Sequence, residues 1–147
     1  MATALELKEI AKKRLDAASI LAKTGDYDTA IYLIGYSVEC ALKAAVCDTL
    51  DLDDYPDMDG SGPMTNTFKT HLLGNLLILS GMSKQFVIPT ASKRLFENWS
   101  LVSKIWNPAI RYSPVGEKTK AEFDRLMTAL VEDPDGVLTV IWRRMKW

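Results

Sequence analysis

The chain has 147 residues, 48% of them hydrophobic and 25% charged, with a formal net charge of -1. These values fit one soluble globular domain, residues 1–147, and bulk charge gives no reason to expect or reject a polyanionic partner. No apolar run reaches the roughly 18 to 20 residues of a membrane span, and residues 1–13 lack an apolar stretch behind a basic start, so a cytoplasmic location without membrane contact is expected.

Cys40 and Cys47 are the only cysteines. On one helix they lie about 10 Å apart along the axis, too far for a disulfide within it, and are read as buried thiols. With a single histidine they give no close ligand spacing, so no metal and no cofactor is expected. Lys8, Lys12, Lys13 and Arg14 near the start, and Arg143, Arg144 and Lys146 near the end, read as solvated faces.

In chain order, Thr3 is an N-cap for a first helix ending at Lys23, with Leu7, Ile10, Ala11, Leu15, Ala18, Leu21 and Ala22 on its apolar face and Arg14 at the edge. Gly25 stops it, and Asp26 caps a central helix over Tyr27–Leu50 after a connection so short that the two helices are antiparallel neighbours. In the central helix Tyr27, Ile31, Ile34, Val38, Ala41 and Ala45 alternate four and three apart and form the core seam. Beside it run Ala30, Leu33, Ser37, Cys40, Ala44 and Cys47, read as small positions that admit a neighbouring helix closely. A third stripe is different: Tyr32, Tyr36, Glu39 and Lys43 align two phenols, a carboxylate and an ammonium on a helix that is otherwise dry. An interior carboxylate without a cation costs several kcal/mol, so Glu39 demands a partner from elsewhere.

Residues 51–66, rich in Asp, Gly, Ser and Pro, read as a long loop whose aspartates solubilise rather than bind metal. A short helix is expected over 70–80, with His71 in its first turn. A connector covers 82–89, and Thr90 caps a helix carrying Ala91, Leu95, Trp99, Val102 and Trp106. Pro108 ends it, and residues 110–116 turn the chain, bringing Arg111 and Tyr112 to the end of a core helix. A further helix spans 117–132, and Asp133-Pro134 reads as N-cap and first-turn proline of the last one. No segment alternates as a strand does. The class is all-α, an up-and-down helical bundle of four main helices plus a short extra helix.

The run from Gly25 to Ala44, His71-Leu72-Leu73 at a short helix, and Trp106 followed by Arg111-Tyr112 resemble, in their order and spacing, the HEPN domain family, whose name stands for nucleotide binding in higher eukaryotes and prokaryotes. The resemblance covers about residues 7–130 and implies a helical bundle that commonly dimerises. Many HEPN proteins resemble metal-independent ribonucleases that use an arginine followed four to six residues later by a histidine. Arg111 matches the arginine, but no histidine follows it. The resemblance therefore implies a degenerate HEPN-like domain. It would bind a nucleotide or RNA phosphate, or serve as partner subunit of a cytosolic protein such as a nucleotidyltransferase in a toxin-antitoxin pair. A ribonuclease in which His71 or Tyr112 replaces the base, and a purely structural interaction module, are the alternatives. The expected ligand residues are Glu39, Lys43, Arg111, Tyr112 and Tyr36. Glu39 would hold Arg111 as a phosphate-facing fork, Lys43 would add a point charge, and Tyr112 or Tyr36 would stack on a base. A homodimer is expected from an apolar inventory, including four tryptophans, too large for so small a bundle to cover.

Overall fold

The structure, a computed structural model, describes residues 2–56, 62–89, 92–106 and 108–145. Eight α-helices lie within them: α1 (Ala4–Lys23), α2 (Tyr27–Leu50), α3 (Pro63–Phe68), α4 (Leu73–Leu79), α5 (Ser83–Val87), α6 (Lys93–Ile105), α7 (Lys120–Val131) and α8 (Val137–Arg144). A 3₁₀ helix, Pro108–Tyr112, follows α6, and among the described residues there is no strand. The all-α expectation holds, with α1, α2, α6 and α7 as the four long helices.

Thr3 begins α1 with a reciprocal cap: its hydroxyl accepts the Glu6 N–H at 3.1 Å while its own N–H donates to Glu6 Oε2 at 2.8 Å. The Asp26 carboxylate accepts the Thr29 N–H at 3.1 Å and starts α2. The two helices diverge from the turn at Gly25 and stay in contact to their far ends, where the Tyr55 N–H donates to the Ala2 carbonyl at 2.9 Å. Small residues allow this closeness. Ser37 Oγ donates to the Ala11 carbonyl at 2.7 Å, and Ala11, Ala18, Ala30, Ala41 and Ala44 are fully buried. Arg14 stays exposed at the edge. The remaining helices cover the other side of α2, and the expected core residues Ile31, Ile34, Val38, Ala41, Leu95, Trp99 and Val102 are all buried. Cys47 is buried too, which pushes its thiol up to about 11, whereas Cys40 is half-buried.

By length and composition α2 is able to cross a membrane, contrary to the expectation that no run is long enough. Yet 72% of its most apolar window is buried within the bundle, as in a core helix. Several element bounds also differ from expectation. The supposed loop over 51–66 gives way to α3 from Pro63 onward, because Pro63 occupies a first helical position where no N–H is needed. The next helix starts at Leu73 rather than at residue 70. Thr70 Oγ1 accepts the Leu72 N–H at 3.1 Å and an Asn75 side-chain N–H at 3.2 Å, holding the backbone in a turn. His71 therefore precedes the helix instead of opening it. The connector over 82–89 contains α5. Ser92 caps α6, accepting the Leu95 N–H at 3.2 Å. Thr90 and Ala91, expected to begin that helix, lie outside the described residues, as do 57–61 of the supposed loop and Lys146.

Asp133-Pro134 caps nothing. Asn98 donates to the Asp135 carbonyl at 2.9 Å and fixes this turn against α6, so α8 starts only after Gly136. The same corner holds a strong ionic contact: Glu132 accepts Arg94 Nε at 2.6 Å, Arg94 Nη2 at 2.9 Å and Asn98 Nδ2 at 2.8 Å. These donors hold the Glu132 carboxyl down to about 2 from an ordinary 4.5. A carboxyl lowered in the folded state stabilises above its unfolded value, and that contribution is lost as pH falls toward the folded one. Urea midpoints are accordingly expected to fall between about pH 4.5 and 2 by more in the native chain than in Glu132→Gln, which lacks this titration. Parallel pH profiles would contradict the assignment.

Candidate functional site

The polar stripe of α2 acquires a partner at each turn. Tyr32 and Tyr36 stack edge to face at 5.1 Å between ring centroids, and Tyr36 meets the Trp106 ring at 6.4 Å. The Trp106 indole lies across Gly35, where a Cβ would come 1.4 Å from Nε1, and its N–H donates to the Tyr32 carbonyl at 3.3 Å. Only glycine permits that approach, and it ties the end of α6 to the middle of α2.

One turn further, Glu39 is 3% exposed. Its Oε1 accepts from Lys43 Nζ at 2.9 Å and faces His71 Nδ1 at 2.7 Å. The lysine is four residues C-terminal to the glutamate, the favourable order for a helical ion pair. Lys43 Nζ also sits 5.1 Å from the centroid of the Tyr55 ring. Tyr55 is buried, and burial pushes its phenol up to about 12. The neutral hydroxyl donates to the Phe68 carbonyl at 2.7 Å, drawing the end of α3 onto α2. Buried Phe68 and Leu73 flank the segment between them like two pegs, while the His71 side chain between them is 64% exposed.

The turn carrying Arg111 meets α2 elsewhere. Ile110, Ser113, Val115 and Lys118 face Asp28, Thr29 and Tyr32 across a cleft of about 470 Å³. Asp28 holds this loop in place, accepting the backbone N–H of Gly116 and that of Lys118 at 2.9 Å. These donors keep its carboxyl below the usual range. The loop contacts delay α7 to Lys120 instead of residue 117.

Of the expected site residues, Tyr36, Glu39 and Lys43 share one stripe, and Tyr112 is 80% exposed on the 3₁₀ helix. The Arg111 side chain lies outside the described residues, and with it the expected Glu39–Arg111 contact. The backbone of that turn sits beside Tyr32, seven residues or about 10 Å along the helix from Glu39. Among the described residues, the groups that meet the Glu39 carboxylate are the Lys43 ammonium and the His71 imidazole. A carboxylate on an otherwise apolar helix signals that Glu39 needs a partner, but no local pattern points to His71 as that partner, because contacts 32 residues apart leave no periodic signal.

Comparison with known proteins adds one finding: the model of the HEPN domain family matches residues 4–56, the part that holds α1 and α2. No curated protein and no solved structure matches the chain significantly.

Proposed function

As a member of the HEPN domain family over residues 4–56, the chain, we propose, binds the phosphate of a nucleotide or RNA along the polar stripe of α2. The observation that carries this reading is the convergence on one helix face of Lys43, His71, the Tyr32–Tyr36–Trp106 ring stack and the turn bearing Arg111. Cations neutralise phosphate, and the accessible faces of the half-buried Tyr32 and Tyr36 rings can stack on bases without regard to sequence. Arg111 supplies the fork and Lys43 a point charge. Labelled single-stranded RNA should be retained by the native chain and lost in Arg111→Ala, with the urea midpoint of that variant nearly unchanged. Equal retention by both proteins would remove Arg111 from the site.

The protein acts in the cytoplasm as a homodimer, and a nucleotidyltransferase is a candidate partner, as for HEPN subunits of toxin-antitoxin pairs. Leu5 and Ile20 on α1, 58% and 63% exposed, support a dimer because they leave apolar surface uncovered. Sedimentation at tens of micromolar, where a dimer with a Kd near 1 µM is populated, should give twice the 16.4 kDa chain mass. A species of 16.4 kDa alone would refute it.

A further inference from the structure

Two aspartates stand at the start of α2, and their carboxylates go to different places. Asp26 is the cap, accepting the Thr29 N–H at 3.1 Å. Asp28 commits both oxygens to a distant part of the chain: Oδ2 accepts the Gly116 N–H and Oδ1 accepts the Lys118 N–H at 2.9 Å, 88 and 90 residues away. Gly116 presents its N–H there because it takes φ +83° in a turn closed by the Glu117 N–H on the Pro114 carbonyl at 3.2 Å. Apolar burial gives this strap little hold, since Val115 is fully exposed and Pro114, Gly116 and Glu117 are exposed around it. The other end of the segment is fixed by buried Trp106, seated on Gly35 and bonded to the Tyr32 carbonyl. Arg111 lies five residues from Trp106 and five from Gly116, so its backbone is slung between two anchors on α2. Asp28 itself sits four residues before Tyr32, on the same helix face as Tyr36, Glu39 and Lys43.

We infer that Asp28 is a positioning residue for phosphate binding: it latches the 113–118 strap to the first turn of α2 and so holds the turn carrying Arg111 against the polar stripe. This role rests on the phosphate-binding reading above. An arginine on an untethered loop must be ordered as the ligand binds, and that cost comes off the affinity; on a loop already held, less is lost. Charge alone gives the opposite expectation. A carboxylate beside the path of a polyanion repels it, so removing the Asp28 charge should tighten binding if the side chain acted only through its field. The two roles therefore differ in sign. The latch also needs both oxygens. In asparagine one of them becomes an N–H₂ donor, which faces a backbone N–H and leaves it without an acceptor, so one tether opens while the size and shape of the side chain are kept.

The test follows binding of a labelled single-stranded RNA to the full chain by anisotropy over a series of salt concentrations. Asp28→Asn should bind at least about 10-fold more weakly, the scale of a hydrogen bond to a charged group. Its plot of log affinity against log salt should become shallower by about 1, as for one lost phosphate contact. Asp26 still caps α2 in this variant, so it should fold. Amide exchange at Gly116 and Lys118 should quicken while that in the middle of α2 stays slow. Glu117→Gln removes a half-exposed charge from the same strap and leaves the latch in place, so it should bind equally or more tightly. Native or tighter binding by Asp28→Asn, weaker binding at an unchanged salt slope, unchanged exchange at the two amides, or an equal loss in Glu117→Gln overturns the latch and leaves phosphate binding in place. No binding by the native chain overturns both.

Discussion

Replacing Glu39 by alanine should lower the unfolding free energy by about 3 to 5 kcal/mol, the range for breaking a buried ion pair. The size follows from what remains. Lys43, 17% exposed, would lose its hydrogen-bonded counter-ion and keep only the Tyr55 ring face, while His71 would lose the acceptor that orients it. Glu39→Gln should retain much of that cost, because an amide accepts a hydrogen bond but leaves the ammonium without a counter-charge. Lys43→Met separates the terms: a further loss of about 1 kcal/mol or less on adding it to Glu39→Gln would show that the two residues act as one unit. Urea unfolding followed by circular dichroism gives these differences, and a Glu39→Ala change under about 1 kcal/mol would mean that the carboxylate is solvated in the folded chain.

A loss of similar size is expected when Trp106 is cut back to alanine, about 3 to 5 kcal/mol as for other buried aromatic residues. The indole is 4% exposed, fills the space above Gly35 and closes a hydrogen bond to the Tyr32 carbonyl. Gly35→Ala attacks the same contact from the other side. In an open helix that change gains nearly 1 kcal/mol, but here the new methyl would lie 1.4 Å from Nε1, so the ring must leave. A net destabilisation of about 1 to 3 kcal/mol is expected, typical of overpacking. Its fingerprint is non-additivity: in Trp106→Ala the Gly35→Ala change should turn neutral or favourable. A stabilising Gly35→Ala in the native background would contradict this packing.

The long helices were legible in the sequence because their signals are local. The four-and-three spacing of Ile31, Ile34, Val38 and Ala41 and the caps Thr3 and Asp26 act within a turn or two, and the structure keeps them. The short elements were not legible. Pro63–Phe68 and Ser83–Val87 have six and five residues, too few for a period to repeat, and form where buried Phe68 and Phe86 dock on the core. At the candidate site, the sequence marked Glu39 as a carboxylate in need of company and left the choice of partner to tertiary structure. That choice falls on His71 because Tyr55, through Phe68, brings the 69–72 segment to the middle of α2. By its spacing Trp106 reads as one more core position, and its seat on a glycine has no local signature.

His71 is the single histidine of the chain, so its ring protons give one resolved set of NMR signals. Titrating a short single-stranded RNA into the full-length protein should shift the His71 signals progressively and saturably. The shift should weaken steeply as salt rises, as expected for phosphate contacts, and disappear in Arg111→Ala. His71 signals that stay in place while other resonances report bound RNA would put the ligand on another face and contradict the account.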